Sequence, residues 1–228
     1  MFISDVLFPK NCLGCNFLGV YLCPKCREKL IPLAGDRCLY CGKKSAFGLT
    51  HPACLRRYGL DGSTSLFYYN NLMKKIIGEI KYRLAWEVWS DVWRACRPQW
   101  FYKMIFFAKI VRPDFLEPIP LHITRERERG FNQAQLIGKT FSTFLNLACS
   151  DFLVRQKKTR PQAKIPGKSE RISNVKNIFS TNKHDRLINK TILLVDDVLT
   201  TGSTLGAAAK ALKQNGAAKV YSLTLAKG

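Results

Sequence analysis

Four pairs of potential metal ligands lie in series near the start of the chain, and two residues separate the members of each pair. The pairs are Cys12 with Cys15, Cys23 with Cys26, Cys38 with Cys41, and His51 with Cys54. A Cys-x-x-Cys turn directs two sulfurs to one point, and two such turns complete the tetrahedral ligand set that Zn2+ prefers. No secretory signal is recognisable in the first residues, so zinc is favoured over a framework of disulfides. We therefore predict structural zinc, as one ion or two, and the spacing leaves open which pairs share an ion.

Two adjacent aspartates precede a run of hydroxyl residues in TILLVDDVLTTGSTLG, residues 191–206. Gly202 lets the backbone approach a ligand closely, and the alanine-rich segment that follows favours a helix. Free N–H groups at a helix N-terminus, together with hydroxyls, bind anions. The carboxylates of Asp196 and Asp197 can accept hydrogen bonds from a sugar diol. The pattern therefore predicts a ligand that carries both a phosphate and a diol, such as a ribose 5-phosphate.

Other phosphate-binding motifs fit this chain less well. It contains neither GxxxxGK[ST] nor GxGxxG after a strand. The segment ILLVDD also looks like the first strand of a two-component receiver domain. No acidic residue follows Asp197, however, so no later phosphoacceptor carboxylate is available and this alternative is excluded.

Alternating strands and helices after Leu60 must position these residues. Strand patterns cover residues 63–69, 116–119, 151–156, 192–195 and 219–226, and helical patterns cover residues 72–84, a segment from about Asn132, and a segment ending near Gly216. This alternation predicts an α/β fold with a doubly wound parallel sheet, which binds ligands at the carboxyl ends of its strands. We divide the chain into a cysteine-rich module, residues 1–60, and a sheet domain, residues 61–228.

Two aromatic segments are interpreted mainly as core. Trp86, Trp89 and Trp93 share one helical face and predict a packed stripe rather than a base-stacking platform. The segment WFYKMIFFAKIV at residues 100–111 is too short to span a bilayer. We expect it to be buried, with contact to a membrane surface as the alternative.

The charge of the chain is strongly positive. Lys and Arg number 37 against 16 Asp and Glu, which gives a formal net charge of +21. Such a field favours phosphate-bearing or other anionic partners. Two segments concentrate the basic residues: a polar loop between Leu121 and Asn132, and a long loop over residues 157–179 that is either a functional lid or disordered.

The segment LLVDDVLTTGSTL resembles the phosphoribosyl pyrophosphate (PRPP) binding motif of type I phosphoribosyltransferases. The resemblance implies a type I phosphoribosyltransferase-like fold in which Asp196 and Asp197 hold the ribose hydroxyls. It further implies Mg2+ carried with the pyrophosphate. The implied PRPP-binding residues that follow the aspartates are Val198, Leu199, Thr200, Thr201, Gly202, Ser203 and Thr204. The implied pyrophosphate-binding residues are His122, Arg125, Arg155 and Lys158.

More narrowly, zinc knuckles followed by IKYR, RERGFNQA, TRPQ and VDDVLTTGSTL are similar to the competence protein F (ComF) family along nearly the whole chain. This resemblance implies a zinc-ribbon-like N-terminal module and a cytoplasmic protein that works at the inner face of the cytoplasmic membrane. It implies a role in natural transformation, in which the protein helps single-stranded DNA to cross the inner membrane. A helicase-like ATPase is the implied protein partner.

The sequence leaves open whether phosphoribosyl transfer occurs. Transfer needs a nucleobase site, which usually lies on a hood outside the core sheet, and the last predicted strand lies within a few residues of Gly228. We expect the zinc region or residues 85–111 to form any such hood. The alternative function is a phosphoribosyltransferase of nucleobase or nucleotide salvage, with the zinc module positioning the base.

Overall fold

The computed structural model describes residues 9–81, 85–157, 178–182 and 184–228. In chain order the strands are β1 (Asp36–Arg37), β2 (Lys44–Ser45), β3 (Gly62–Tyr68), β4 (Phe115–Pro118), β5 (Leu153–Arg155), β6 (Phe179–Thr181), β7 (Thr191–Leu199) and β8 (Lys219–Lys227). The helices are α1 (Pro24–Arg27), α2 (Asn71–Glu79), α3 (Ala85–Ala95), α4 (Tyr102–Val111), α5 (Ile123–Arg129), α6 (Gln133–Leu145), α7 (His184–Leu187) and α8 (Ser203–Gln214).

A four-stranded parallel sheet, in the order β3-β8-β7-β4, forms the centre of the molecule. Val195 of β7 pairs with Leu223 of β8 on one side, and Leu193 pairs with Leu116 of β4 on the other. Residues 148–150 continue the sheet beyond β4, because Leu116 N donates to Ala148 O and Ser150 N donates to Leu116 O. The carboxyl ends of all four strands therefore lie at one edge, where β7 delivers the two aspartates.

Both faces of the sheet are covered, as the alternation of apolar residues along β7 requires. Leu193 and Val195 belong to a core that includes residues of α2, α3, α4 and α6. Ile192 and Leu194 point to the opposite face and pack in a second core with the buried side of α8. This arrangement is the doubly wound α/β fold, and the predicted fold class is confirmed.

The tryptophan stripe is only partly a core feature. Trp89 is 1% exposed and packs with its ring centroid 5.7 Å from that of Trp93. Trp86 is 63% exposed, so the prediction of one packed stripe was wrong for this residue. The buried face of α3 is centred on Val88, Trp89 and Val92, and Trp86 lies roughly 110° around the helix from that centre at about 100° per residue.

The aromatic segment at residues 100–111 buries one face and exposes the other. Met104, Phe107 and Val111 of α4 are buried in the core of the first sheet face. Tyr102 and Phe106, on the other side of α4, are 62% and 60% exposed. The expectation of a buried element therefore holds for only one side of α4.

The arginine-rich segment predicted as a loop contains helix α5. His122 is the N-cap and its side chain accepts a hydrogen bond from Thr124 N, while Gly130 ends the helix at φ +81°. These two local caps explain a short helix that has no buried residue of its own.

Strand β5 also differs from the expectation of an alternating parallel sheet. It pairs with β6 in a separate antiparallel pair, with Arg155 opposite Phe179. The long basic loop predicted between these two strands lies outside the described residues except for Lys157 at its start and residues 178–179 at its end.

The cysteine-rich module packs along the β3 edge of the sheet. Leu33 N donates to Leu66 O at 2.8 Å, and Tyr68 N donates to Ile31 O at 2.9 Å, so an extended segment of the module pairs with β3. Several buried module residues, among them Leu22 and Leu30, belong to the core of the first sheet face. The module therefore shares hydrophobic core with the sheet, and the division at residue 60 stays a prediction.

Candidate functional site

The eight predicted metal ligands converge in two groups of four. The first group is Cys12, Cys15, Cys23 and Cys26, and the second is Cys38, Cys41, His51 and Cys54. Within each group all ligand atoms lie within 4.8 Å of one another. Neighbouring pairs along the chain therefore share a site, which the spacing had left open.

The geometry of both groups fits Zn2+. Zn–S bonds of about 2.3 Å give a tetrahedron with sulfur–sulfur edges of about 3.8 Å, and Cys15 Sγ lies 3.6 Å from Cys23 Sγ. In the second group Cys41 Sγ lies 3.3 Å from His51 Nδ1. His51 Nε2 donates to Lys44 O at 3.0 Å, which leaves the lone pair of Nδ1 available for the metal.

The thiol pKa values indicate how metal binding would couple to protons. Burial raises the pKa of Cys26 to about 12 and that of Cys54 to about 11. Burial acts in the same direction on Cys12 and Cys38, but hydrogen bonds from backbone N–H groups outweigh it and lower both pKa values to about 6. Zinc binds the thiolate form of cysteine, so any ligand that is still protonated would release its proton on binding.

The two aspartates of the phosphate motif lie on the carboxyl-terminal half of β7. The strand continues past them, because Asp196 still pairs with Thr224 and Leu199 with Lys227. Asp197 N donates to Asp196 Oδ1 at 2.9 Å, and Val198 N donates to Asp197 Oδ1 at 2.7 Å. One oxygen of each carboxylate is thereby held by the backbone, which orients the acidic pair.

A hydroxyl-lined turn connects β7 to α8. Gly202 occupies the N-cap position with φ +73°, in the left-handed region that a residue without Cβ adopts at low cost. Thr201 Oγ1 lies 2.7 Å from Ser203 Oγ and accepts a hydrogen bond from Ser203 N at 3.4 Å. The turn brings hydroxyls and the start of α8 together next to the acidic pair, which is an arrangement suited to a phosphate.

The two carboxylates of the acidic pair lie close enough for their charges to repel each other. Burial and the neighbouring charge of Asp197 raise the pKa of Asp196 well above its usual range. Lys81 Nζ lies 3.0 Å from Asp197 Oδ2 and supplies a cation to the pair. Lys81 stands within the IKYR segment, but the sequence analysis assigned it no role, because its distance from Asp197 along the chain hides the contact.

One of the four predicted pyrophosphate residues, Arg155, lies within electrostatic range of Asp196, and Arg125 lies within range of Arg155. Burial and the nearby charge of Arg125 lower the pKa of Arg155, whereas the charge of Asp196 raises it. Burial likewise lowers the pKa of Arg125. Both arginines are thus partly desolvated, while His122 is engaged as the cap of α5 and Lys158 lies outside the described residues.

The second zinc group lies next to the hydroxyl-lined turn at residues 200–204, which we call the phosphate turn. Leu39 lies between Cys38 and Cys41, and a Cβ added to Gly202 would meet both δ-carbons of Leu39 at 3.0 Å. A glycine is therefore favoured at this position for two reasons, the backbone angle and the close side chain. Through this contact the zinc module forms one wall of the phosphate turn.

Comparison with known proteins agrees with this two-part architecture. Residues 136–228 match the family described as Phosphoribosyl transferase domain, and residues 3–55 match the Double zinc ribbon domain. The chain is 33% identical to Competence protein ComFC of Bacillus subtilis (strain 168) over 221 residues, which cover 90% of this chain and 83% of that protein. The chain belongs to the ComFC family.

Other relatives of this ComFC family member have related names. Competence protein F of Haemophilus influenzae is 28% identical over 90% of both chains. DNA utilization protein YhgH of Escherichia coli O157:H7 is 35% identical over 109 residues, which make up 47% of each chain. Across the described ranges, no helix has the length and apolar character needed to cross a membrane.

Proposed function

We propose that this ComFC family member is a competence factor that binds PRPP and helps single-stranded DNA to enter the cytoplasm during natural transformation. The observation that carries the proposal is the acidic pair on β7 beside the hydroxyl-lined turn at the start of α8. Membership of the ComFC family supports the role in transformation, because two relatives that the chain matches over 90% of its length are named competence proteins.

The acidic pair and the turn would bind different parts of PRPP. Asp196 and Asp197 accept hydrogen bonds from the two ribose hydroxyls, which carry no charge and suit carboxylate acceptors. The turn from Thr200 to Thr204 holds the 5-phosphate with hydroxyls and backbone N–H groups. The residues between these two parts, Val198 and Leu199, pair with β8 and keep the halves of the site at a constant separation.

Basic residues near the acidic pair would receive the pyrophosphate. Arg155 lies within electrostatic range of Asp196 and of Arg125, and both arginines are partly desolvated, which strengthens their interaction with an anionic ligand. His122 and Lys158 remain proposed contributors from the start of α5 and from the basic loop. Mg2+ would be carried by the pyrophosphate, since its preferred ligands are oxygens and the acidic pair adds carboxylate oxygens nearby.

Lys81 joins this set as a residue that responds to the ligand. Lys81 Nζ lies 3.0 Å from Asp197 Oδ2. Bound PRPP would compete for this carboxylate, and Lys81 would then be free to contact a phosphate oxygen. A lysine suits this exchange because its ammonium group is a compact charge on a flexible stem.

The surface of the protein supports a peripheral position at the inner membrane. Tyr102 and Phe106 on α4 are exposed, and the ring of Phe47 stacks on that of Phe106 with centroids 6.5 Å apart. Lys109 lies exposed on the same helix. Exposed aromatic rings beside basic residues favour the interface of an anionic bilayer. Binding to vesicles containing anionic lipid, and its loss in Phe47→Ser/Phe106→Ser, is the test of this placement.

The PRPP assignment is tested with Asp196→Ala/Asp197→Ala. We expect isothermal titration with PRPP and Mg2+ to give a signal for the wild type and none for this variant, with unchanged zinc content in both. The matched control is Asp185→Ala, an exposed aspartate on α7. Absence of PRPP binding and of a PRPP-induced thermal shift in the wild type would refute the ligand assignment.

The role in transformation needs a genetic test. We expect a deletion strain to lose uptake of DNA into the cytoplasm, and complementation by the Asp196→Ala/Asp197→Ala gene to fail. A helicase-like ATPase is the proposed partner, and co-purification from competent cells tests it. Normal transformation of the deletion strain would contradict the proposed function.

The match to the Phosphoribosyl transferase domain favours a second candidate, a transferase of nucleobase or nucleotide salvage. In that function the zinc module, whose Leu39 already contacts the phosphate turn, would position the acceptor base. Release of pyrophosphate from PRPP that depends on an added nucleobase distinguishes this candidate from a ligand-binding role. PRPP binding without such release supports the first proposal.

A further inference from the structure

We propose that a cavity between the second zinc group and α8 binds a nucleotide unit of single-stranded DNA. The cavity has a volume of about 720 Å³ and is lined by side chains of the zinc module on one side and of α8 on the other. This inference rests on the proposed function, because it takes DNA as the partner, and it adds the place and the residues of contact.

The charge of the cavity selects an anion. Arg56 and Arg57 from the zinc module and Lys210 from α8 line it, and none of its described lining residues is a carboxylate. Within the described part of the chain none of these three side chains forms an ion pair with Asp or Glu. Three cations that converge on one concave surface without a counter-charge favour a ligand with phosphates.

The aromatic residues of the cavity add a preference for planar rings. Tyr40 and Tyr58 line its zinc-module side, and Phe179 of β6 lines it nearby. Tyr40 is held in place, because Leu60 N donates to its hydroxyl oxygen at 2.8 Å and the Arg56 guanidinium lies 4.5 Å from its ring centroid. Proteins bind single strands through such a combination of a basic groove and fixed aromatic rings, since unpaired bases can stack on the rings.

The position of the cavity connects it to the PRPP site. Thr201, Gly202 and Ser203 of the phosphate turn form one end of it, and the exposed side of α8 continues from there to Lys210. Its volume lies within the range of about 300–1,000 Å³ that small-molecule sites occupy. One or two nucleotide units therefore fit, with a phosphate near Arg57 and Lys210, a base near Tyr40, and the turn itself left to PRPP.

A second cavity shows that this combination is not general on the molecule. It has a volume of about 540 Å³ and lies between residues 32–36 and α4. Its one lining cation, Lys103, is paired with Asp36 at 2.8 Å. Of these two cavities, the one beside the phosphate turn therefore has lining cations without an ion-pair partner among the described residues.

Fluorescence anisotropy with a labelled decathymidylate tests the proposal on the full-length, zinc-loaded protein. The test variant Arg56→Ala/Lys210→Ala removes two cations from the cavity. The control Lys75→Ala/Lys139→Ala removes two exposed lysines from α2 and α6, which cover the other face of the sheet. A third variant, Ala207→Trp, fills the cavity from α8 without a change of charge.

We expect the test variant to lose two phosphate contacts. The slope of log K against log salt should then decrease by about 1.4, which corresponds to roughly 25-fold weaker binding at 0.1 M salt. Ala207→Trp should weaken binding while leaving most of the salt slope in place. The control should change affinity by less than about threefold, because charges that make no contact are screened over about 10 Å at this salt concentration.

Three results would overturn the inference: equal loss in the test and control variants, no loss in the test and cavity-filling variants, or no binding of decathymidylate to the wild type. Competition by thymidine monophosphate separates a strand from a free nucleotide. Displacement at the same concentration as decathymidylate would assign the cavity to free nucleotides and refute the part concerning DNA.

The PRPP-induced thermal shift of the same variants keeps this test separate from that of the proposed function. We expect all three variants to retain the shift. A wild type that binds decathymidylate through the cavity but shows no PRPP shift would refute the PRPP site alone.

Discussion

Replacing Gly202 by alanine should destabilise the protein by about 1–2 kcal/mol, because an L-residue pays that much in the left-handed region. Gly202 has φ +73°, and its new methyl group would also lie 3.0 Å from both δ-carbons of Leu39. Leu39 is half-buried and must move by a few tenths of an ångström. The displacement of Leu39 lowers the unfolding free energy further, because it disturbs the contact between the zinc module and the phosphate turn.

A double-mutant cycle with Leu39→Ala separates the two costs. Leu39→Ala alone should cost about 1–2 kcal/mol, roughly half the loss for a fully buried leucine. In that background Gly202→Ala should cost only its backbone term, so the coupling between the two changes should reach about 0.5 kcal/mol or more. The control is Gly206→Ala in the same helix, where no atom lies within 4 Å of the added methyl group. That variant should gain about 0.5–1 kcal/mol, as alanine does over glycine within a helix.

Urea unfolding of the zinc-loaded variants, followed by tryptophan fluorescence and circular dichroism, measures all four corners of the cycle. If the losses in unfolding free energy of Gly202→Ala and Leu39→Ala simply add in the double variant, the contact between Leu39 and the phosphate turn is refuted. Stabilisation by Gly202→Ala, as predicted for Gly206→Ala, would refute the left-handed backbone.

Three further predictions concern the metal, the acidic pair and the core. Elemental analysis should find two zinc ions per chain, and chelation should unfold the cysteine-rich module before the sheet, because the module has little core of its own; a folded module without zinc would contradict this. Burial and Asp197 raise the pKa of Asp196 in the folded protein, so stability without ligand should fall as the pH rises from the unfolded-state value of about 3.9 through the raised folded-state pKa. Asp196→Asn should remove this dependence of stability on pH and raise the unfolding free energy at neutral pH by roughly 0.5–2 kcal/mol. The same change should abolish PRPP binding. Thermal unfolding that shows the same pH dependence in the variant as in the wild type would contradict this prediction. In urea unfolding, Trp89→Ala should lower the unfolding free energy by about 3–5 kcal/mol, and Trp86→Ala should change it by no more than about 0.5 kcal/mol. The reason is that Trp89 is buried and donates a hydrogen bond to Thr140, whereas Trp86 is exposed. Equal losses for the two variants would contradict the packing of α3.

Features that depend on short stretches of chain could be predicted from the sequence. The zinc ligands follow this rule, because the two-residue spacing of each pair already points two donor atoms to one place. The phosphate motif follows it too, since the acidic pair, Gly202 and the start of α8 lie within a single strand–turn–helix unit. The helix caps at Asn132 and Gly130 are equally local.

Errors arose where a local pattern had more than one tertiary outcome. The segment before Asn132 was predicted as a loop from its charge, although its caps support helix α5. Trp86 shares a helical stripe with Trp89, but the packing of α3 turns that edge of the stripe to the surface. Charge and periodicity describe an element by itself, and they do not say which side of it meets the sheet.

The amino-acid sequence by itself determined the ligand set for zinc, the phosphate motif and the alternation that produces a doubly wound sheet. Only the tertiary structure decided that neighbouring cysteine pairs share a site, that Lys81 pairs with Asp197, and that Leu39 lies against Gly202. The physical reason is range: bond geometry and helix or strand periodicity act over a few residues. Contacts between distant segments instead depend on how two sheet faces and one sheet edge are covered, which the whole chain settles together.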